Sequence, residues 1–324
     1  MQVSIINVGY GDAILFQTSG GYTALLDGGS ALDSEFSGDP YRVRCADFLR
    51  KREIRRLDAV IISHIHEDHV CGLEAVFQQF PVGQVLVPYP VEPFLQGREL
   101  VPKADAFRSV PLYTNALNAY RRILLRMRET GVPVTAVEPG TVLSPDPELT
   151  VRVLAPKPAA VRTYMDLIRR TYAEAEQPDA VTKSLTELDA MSNRTSMLLR
   201  IEMGETVLLS AADSCPQEWD AVPIFLLENV NVLKLPHHGQ IDSISEQYMK
   251  NMPLTHVITT ASSDRRYNSA NPQVYQRLSQ WRKDCPPKFL FSDERRYPPY
   301  FSRPDGFQAI VLEIDSGIVC PEFV

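Results

Sequence analysis

The sequence lacks any long apolar run. No stretch among its 324 residues approaches the roughly 18 consecutive apolar residues that a membrane-spanning helix requires. It also lacks a basic-then-apolar leader, because the first residues, from Met1 to Ile5, already have the pattern of a strand. The sequence therefore predicts a cytoplasmic protein with no membrane partner.

Cysteine is scarce and shows no pairing pattern. The five cysteines are odd in number, widely scattered and free of Cys-x-x-Cys pairs. This usage argues against a disulfide framework and suits a reducing compartment. Cys71 lies close to the histidine-rich segment described below, and we interpret it as a small buried apolar residue.

Positive charge is also in deficit. The 33 lysines and arginines are outnumbered by 40 aspartates and glutamates, so the formal net charge is −7 and no global field attracts nucleic acid. Local basic clusters at 50–56 and 121–128 are interpreted first as solvated helix faces. If the substrate is a polyanion, the first cluster is also the candidate site that binds it.

Length and the lack of internal boundaries favour a single domain. A chain of 324 residues can hold one large domain or two modest ones. No internal repeat or low-complexity linker divides it, so we predict one domain over residues 1–324, with insertions at about 88–130 and 157–190. The second insertion is a candidate lid. Part of the first, at 88–111, is a candidate substrate contact through its aromatic side chains, Tyr89, Phe94 and Phe107, with Tyr113 just beyond.

What the sequence does contain is a dense group of metal-ligand side chains. His64, His66, Asp68 and His69 follow a short apolar run, 59–62, that is typical of a buried strand. His64 and His66 project to the same side of an extended chain. Asp68 and His69 enter a helix, where neighbours point roughly 100° apart, so the segment can supply two ligands to each of two ions. Val70 occupies the position where the zincin pattern requires histidine.

Polar side chains end several other apolar runs. Five of the six histidines fall in two clusters, 64–69 and 237–238, and each cluster follows an apolar run. Polar residues end five such runs in all: Asp27, His64, Asp213, His238 and Ser262. Because α/β folds build active sites where strand ends converge, we expect these side chains to meet at one edge.

The segment His64-x-His66-x-Asp68-His69 resembles the signature of the metallo-β-lactamase fold superfamily. A closer resemblance is to the metallo-hydrolase domain of bacterial competence (ComEC-type) DNA-uptake proteins and their stand-alone relatives. With the first segment, four others carry it and span nearly the whole chain: Asn7–Ala13, Leu26–Gly29, Asn193–Ser196 and Leu235–Gly239. The resemblance implies an α/β fold, namely an αββα four-layer sandwich of two mixed β-sheets flanked by helices, with a metal centre at one edge.

The same resemblance implies a ligand set. It assigns His64 and His66 to a first ion, Asp68, His69 and His238 to a second, and Asp213 to both as a bridge. Asn193 stands where many relatives supply a histidine, so it is expected as a weak ligand or a substrate contact. Imidazole and carboxylate ligands without thiolate suit two divalent ions, zinc or manganese, with iron also compatible.

Further roles are predicted around these ligands. Asp68 is expected to orient a metal-bridging hydroxide, and His237 to contact a phosphoryl oxygen or protonate the leaving group. The sequence does not decide which of His237 and His238 binds metal, although His238 is favoured. Asp27 and Asp12 are expected behind the ligands. The predicted substrate contacts are Tyr10, Ser262 and Asn268.

Hydrophobic periodicity predicts the main elements. They are a hairpin at 2–8 and 13–17, helices at 40–56 and 109–130, strands at 132–137 and 149–154, and a hairpin at 197–203 and 206–209. The segments 289–291 and 309–314 are expected to close the second sheet. Ala212, where relatives usually have glycine, is expected to adopt ordinary backbone angles.

The leading hypothesis is a metal-dependent phosphodiesterase, most simply a nuclease on DNA or RNA. A phosphoryl centre is the usual substrate of two-metal sites. The alternatives are hydrolysis of a small phosphodiester or other ester, and a non-catalytic binding module of the same fold. A complete ligand set argues against the non-catalytic module, and Asn193 in place of histidine argues against a β-lactamase.

Overall fold

The computed structural model describes residues 1–324. Ten α-helices are present: α1 Asp33–Phe36, α2 Cys45–Lys51, α3 Glu67–Val70, α4 Leu73–Gln79, α5 Glu92–Gln96, α6 Ser109–Thr130, α7 Pro158–Ala173, α8 Pro178–Ser192, α9 Glu246–Met249 and α10 Pro272–Trp281. The first eight strands are β1 Gln2–Ile6, β2 Ile14–Gln17, β3 Thr23–Leu26, β4 Ala59–Ile61, β5 Val85–Val87, β6 Val134–Ala136, β7 Val142–Asp146 and β8 Leu149–Ala155. The remaining nine are β9 Leu198–Met203, β10 Thr206–Ser210, β11 Val232–Lys234, β12 His256–Thr259, β13 Lys288–Phe291, β14 Arg296–Tyr297, β15 Phe301–Ser302, β16 Ala309–Asp315 and β17 Ile318–Phe323.

The strands form two large mixed sheets. The first has the order β17-β16-β1-β2-β3-β4-β5-β6, and the second has the order β13-β12-β11-β10-β9-β8-β7. In the first sheet β3 to β6 run parallel, and in the second β10 to β13 run parallel. Strands β14 and β15 form a separate small hairpin.

Three apolar layers hold the sheets and helices together. One lies between the first sheet and helices α2, α4, α6, α7 and α8. The second lies between the two sheets, and the third lies between the second sheet and α9 and α10. Alternation along a strand supplies both faces of a sheet: Leu208 of β10 faces the other sheet, whereas Leu209 faces the outer helices. The predicted αββα four-layer sandwich is therefore confirmed.

Local sequence accounts for most element boundaries. The predicted helix at 109–130 is α6, which ends at Gly131 in the left-handed conformation with φ +72°. The helix predicted at 40–56 is shorter, because α2 begins at Cys45 and Glu53 adopts a φ of +56° just beyond its end. Both insertions are helical: α5 and α6 fall in the first, and α7 and α8 in the second.

One strand lies in a different sheet from the one predicted. The segment 289–291 is in the second sheet as expected, but Ala309–Asp315 pairs antiparallel with β1 in the first sheet. It is followed by β17, which forms the edge of that sheet. The apolar pattern of β16 suits either sheet, so only pairing with the start of the chain decides its place. No helix is both long and apolar enough to cross a membrane.

Candidate metal centre

The first group of ligand atoms comes from two strand exits. After β4 the chain places His64 Nε2 3.1 Å from His66 Nδ1. Asp213 follows β10 of the other sheet, and its Oδ2 lies 3.6 Å from His64 Nε2. Ligand atoms of these three residues lie within 4.8 Å of one another. The spacing is compatible with shared coordination of one ion.

A second group lies directly beside the first. Helix α3 begins at Glu67, so Asp68 and His69 lie in its first turn. Asp68 Oδ2 is 3.5 Å from His69 Nε2 and 3.0 Å from His238 Nε2. The second carboxylate oxygen of Asp213, Oδ1, is 3.4 Å from His69 Nε2 and 3.3 Å from His238 Nε2. Asp213 thus faces one group with each oxygen, as a bridging carboxylate must.

The second group contains buried polar atoms that a cation would satisfy. Four of its atoms are buried without a hydrogen-bond partner: Asp68 Oδ2, His69 Nε2, Asp213 Oδ1 and His238 Nε2. A buried polar atom left unpaired costs roughly 1–3 kcal/mol, and here four converge on one point. Imidazole nitrogens and carboxylate oxygens are donors for zinc and related divalent ions. The residues present therefore fit a metal ion.

The outward-facing nitrogen of each histidine is also held. His69 Nδ1 lies 2.8 Å from Asp27 Oδ2, and His238 Nδ1 donates to the carbonyl oxygen of Thr260 at 2.7 Å. His64 Nδ1 lies 3.0 Å from Ser63 Oγ, which in turn donates to Asp27 Oδ2 at 2.6 Å. Partners of this kind fix the ring orientation and the tautomer. Asp27 thus supports a ligand of each group.

The fourth histidine faces a carboxylate that sequence reasoning missed. His66 Nε2 lies 3.3 Å from Asp189 Oδ1, and Asp189 belongs to α8 of the second insertion. No motif marks Asp189 in the sequence. Its position near the end of a 15-residue helix gave no signal of a role.

The carboxylates of the second group favour positive charge on its two histidines. Burial alone would lower the pKa of His238, but the carboxylates of Asp213 and Asp68 outweigh it and raise that pKa to about 9. The pKa of His69 is raised by the same two carboxylates against the effect of burial. Conversely, burial would raise the pKa of Asp213, yet His238 and His69 hold it well below its usual value. A bound cation would supply the positive charge that these carboxylates favour.

A buried ion pair lies behind the second group. Asp12, which follows Gly11 in the loop after β1, is fully buried and pairs with the equally buried ammonium of Lys234. Gly11 has a φ of +129°, and a Cβ there would lie 2.2 Å from the Asp68 carbonyl oxygen, so the loop requires glycine. Lys234 was not predicted, although a lysine within the apolar β11 was a visible signal.

The expectation about Ala212 was wrong. Its φ is +42°, so it keeps the left-handed conformation that glycine adopts without strain. Its carbonyl oxygen accepts hydrogen bonds from Lys234 Nζ at 3.0 Å and from the His237 backbone N–H at 2.9 Å. Asp213 itself is held through its backbone N–H, which donates to Ser196 Oγ at 3.0 Å. These contacts impose the conformation of the turn that presents Asp213.

The two adjacent histidines point to different partners. Both have positive φ, +48° at His237 and +52° at His238. His238 is buried against the ligand group, whereas His237 is partly exposed, with Nδ1 3.2 Å from both carboxylate oxygens of Asp242 and 3.8 Å from Cys215 Sγ. The structure thus brings His238, not His237, among the other candidate ligands.

A cavity of about 300 Å³ opens onto the ligand groups. Its polar lining includes three candidate ligands, His66, Asp68 and Asp213, together with Asn193, His237 and Tyr10. The Oδ1 atom of Asn193 is buried without a hydrogen-bond partner. Two arginines, Arg108 and Arg266, line the same cavity and were not singled out in the sequence.

The two arginines differ in whether they pair with a carboxylate. Arg266 pairs with the buried Glu35 and, at 2.9 Å, with Asp264. Arg108 is exposed, precedes α6 and forms no ion pair. Arg108 is therefore the arginine of the cavity that has no carboxylate within ion-pair distance.

Other predicted contacts lie away from the cavity. Ser262 is fully buried and donates to the Asp264 carboxylate, while Asn268 Oδ1 accepts from Asn271 Nδ2 at 3.0 Å. Neither lines the cavity, because each is engaged within its own loop. Tyr89 and Phe94 are core residues with no exposed surface.

Of the remaining aromatics in that insertion, Tyr113 lines the cavity, and Phe107, which precedes Arg108, is 79% exposed. Cys71 is buried in the first apolar layer, as expected.

The comparisons agree with the predicted class. Residues 6–150 match the family model described as the metallo-beta-lactamase superfamily. The matched residues are 145 of the chain's 324, and they include the histidine-rich segment 64–69. The superfamily resemblance stated from the sequence is confirmed.

Among known proteins, the chain is 24% identical over 289 residues to ComE operon protein 3 of Bacillus subtilis (strain 168). The match covers 86% of this chain and 30% of that protein, so the chain spans less than a third of its relative's length. Among solved structures, it is similar to zinc-bound PqqB from Methylobacterium extorquens, at 12% identity and a TM-score of 0.41 over 74% of this chain and 73% of that one. It is also similar to a diphosphatase of the PhnP family, at 13% identity and a TM-score of 0.45 over 99% and 100%.

Proposed function

We propose that the protein is a two-metal phosphodiesterase, and that its substrate is DNA or RNA. The observation that carries the proposal is the shared carboxylate of Asp213, whose two oxygens face two adjacent groups of imidazole and carboxylate atoms. The unpaired buried atoms of the second group support metal binding over a purely structural polar cluster.

The proposed ligands are those implied by the resemblance. His64 Nε2, His66 Nδ1 and Asp213 Oδ2 would hold the first ion. The second would be held by Asp68 Oδ2, His69 Nε2, His238 Nε2 and Asp213 Oδ1. Zinc and manganese both suit these donors. Two divalent ions in this position supply a nucleophile at neutral pH and stabilise negative charge on a phosphoryl group.

The protein's own groups would orient and protonate the substrate. Asp68 faces the cavity beside the second group and can orient the attacking water. His237 lines the cavity while Asp242 holds its Nδ1, so the ring is oriented for Nε2 to protonate the leaving oxygen. Asn193, with its free Oδ1, can accept a hydrogen bond from the substrate or complete the first site.

One arginine at the cavity favours a phosphodiester. Arg108 has no carboxylate partner, and arginine suits the geometry of phosphate oxygens. The resemblance to competence DNA-processing domains points to the same class of substrate. A volume of about 300 Å³ holds only a small part of a polymer, so a small phosphodiester is the second candidate.

The test begins with metal content and a simple substrate. The metal-reconstituted protein should bind close to two zinc or manganese ions per chain and should hydrolyse bis-p-nitrophenyl phosphate. Asp213→Asn keeps the side-chain volume but removes the bridging charge, so it should lower metal occupancy and abolish turnover without unfolding the chain. Asp220→Asn, an exposed carboxylate paired with Lys157, is the matched control and should change neither.

Two results would refute the proposal. One is the absence of bound metal by elemental analysis after reconstitution. The other is full activity of Asp213→Asn, which would show that the bridging assignment is wrong. Parallel assays with single- and double-stranded DNA and RNA separate a nuclease from an enzyme acting on small diesters.

A further inference from the structure

We infer that Asp189 is a positioning residue for the metal centre, so that the second insertion, 157–190, is part of the hydrolytic site. The inference rests on the proposed metal centre and goes beyond it, because Asp189 lies outside every segment that carries the family resemblance. The geometry also makes the insertion a fixed part of the site, whereas the sequence suggested that it was a lid.

Helix α8 is a fixed wall of the site. Its apolar face contributes Val181, Leu185 and Leu188, each no more than 1% exposed, to the same apolar layer as β4. Helix α7 packs into that layer through Tyr164 and Ile168, which have no exposed surface. A segment that opened as a lid would expose all of these apolar side chains to water, which is unfavourable. The packing therefore holds α8 in place.

The end of α8 is tied to the histidine segment at two points. Ser192 Oγ donates at 2.8 Å to the carbonyl oxygen of Ile65, the residue between His64 and His66. One turn earlier, Asp189 Oδ1 lies 3.3 Å from His66 Nε2. The first contact positions the backbone of the segment, and the second orients the ring.

The position of Asp189 determines which nitrogen of His66 is free. Nε2 is buried and has no other partner, and Asp189 Oδ1 at 3.3 Å is the one carboxylate oxygen within 4.0 Å of it, so this acceptor favours a proton on Nε2. The lone pair then lies on Nδ1, which faces His64 Nε2 at 3.1 Å. His66 is the only one of the four histidines that offers Nδ1 to the site, and this orientation requires an acceptor on the far side of the ring.

The first site depends on this support more than the second does. Three protein atoms face it, because Asn193 stands where relatives supply a further histidine, whereas four face the second site. Loss of one ring's orientation therefore removes a third of the protein donors of the first site. Partners of metal-bound histidines are typically worth about 10–100-fold in metal affinity.

The test is a titration of the metal-free full-length chain with Zn²⁺ in competition with a chromophoric chelator. Asp189→Leu should weaken one of the two ions by about 10–100-fold and leave the other unchanged. Asp189→Asn keeps an acceptor oxygen for Nε2–H and should recover most of the affinity. Glu187→Gln, on the same helix and paired with Arg170, is the matched control and should have no effect.

A double-mutant comparison separates positioning from loss of fold. If Asp189 acts through His66, Asp189→Leu should have no further effect on zinc affinity in a His66→Ala background. An equal loss in that background, or unchanged affinity in Asp189→Leu alone, would overturn the inference. In either case two ions bound by the unmodified chain would leave the proposed metal centre standing, whereas no bound metal would refute the centre itself.

Discussion

At the scale of single residues, the centre is built on unusual backbone conformations. Asp27, Ala212, His237 and His238 all have φ between +42° and +57° without being glycine. Each such residue costs roughly 1–3 kcal/mol unless the surroundings impose it. Here the surroundings do so: Asp27 is held by Ser63 and His69, and the Ala212 carbonyl by two donors. The strain falls on the residues that present or support the proposed ligands.

Adjacent alanines provide a test of this strain. Ala211 and Ala212 are both buried, but only Ala212 has a positive φ. Both glycine variants lose a buried methyl group and gain chain entropy in the unfolded state, whereas Ala212→Gly also relieves strain. We expect Ala211→Gly to lower the free energy of unfolding by roughly 1–2 kcal/mol more than Ala212→Gly does. Urea denaturation of the two variants measures the difference, and equal losses would show that Ala212 is not strained.

At the scale of elements, the centre depends on where strands end. Strands β3 and β4 of the first sheet and β10, β11 and β12 of the second all end at the metal centre, and the residues just after them supply or support the ligands. Helix α8 closes the same edge from the side. The turn after β11 directs two consecutive histidines to different partners, and hydrophobic periodicity alone does not predict this.

Substitutions of the two histidines in that turn should have different effects. His238→Ala removes a buried ligand atom and should weaken the second metal ion by more than 10-fold, by analogy with losses at supporting residues. His237→Ala should retain both ions but slow diester hydrolysis by about 10²–10⁴-fold, because the proposed proton donor is lost. Metal titration and kcat measurements distinguish the variants. Equal metal loss from both would leave no residue for the acid role.

At the scale of the whole molecule, the net charge limits where a polyanionic substrate could bind. The net charge of −7 repels a polyanion, so a polyanionic substrate would have to bind at a local positive site. Two members of the basic cluster at 50–56 lie away from the cavity, because Arg52 contacts Gln2 at the start of β1 and Arg56 pairs with Asp58 just before β4. Those strand starts lie at the edge opposite the metal centre. We therefore propose Arg108, which lines the cavity, as the local contact.

A salt series tests whether local positive charge binds the substrate. If the substrate is nucleic acid, cleavage at limiting substrate should fall steeply with salt, in proportion to the phosphates contacted. Arg108→Gln should reduce that slope and weaken binding several-fold, while Arg55→Gln, on the remote basic cluster, serves as the control and should not. Hydrolysis of bis-p-nitrophenyl phosphate should depend little on salt in all three proteins. A flat salt profile for DNA and RNA would favour the small-diester alternative.

Local patterns in the sequence predicted much of the fold and the densest part of the candidate site. His64, His66, Asp68 and His69 lie within six residues, so a strand followed by a helix is enough to bring them together. The amphipathic period of α6 and its terminal glycine are likewise local. The places of Asp213 and His238 came from resemblance, since nothing local links residues that are more than 140 positions from the first cluster.

Tertiary structure decided the rest, because those features depend on contacts between distant segments. The place of β16 follows from pairing with β1, some 300 residues away. The left-handed conformation of Ala212 follows from donors on Lys234 and His237 that only the folded chain supplies. Asp189 and Arg108 carry no pattern of their own, since a single carboxylate or guanidinium on a helix is usually solvated. They acquire a role only when packing of the two insertions against the first sheet brings them to the ligands.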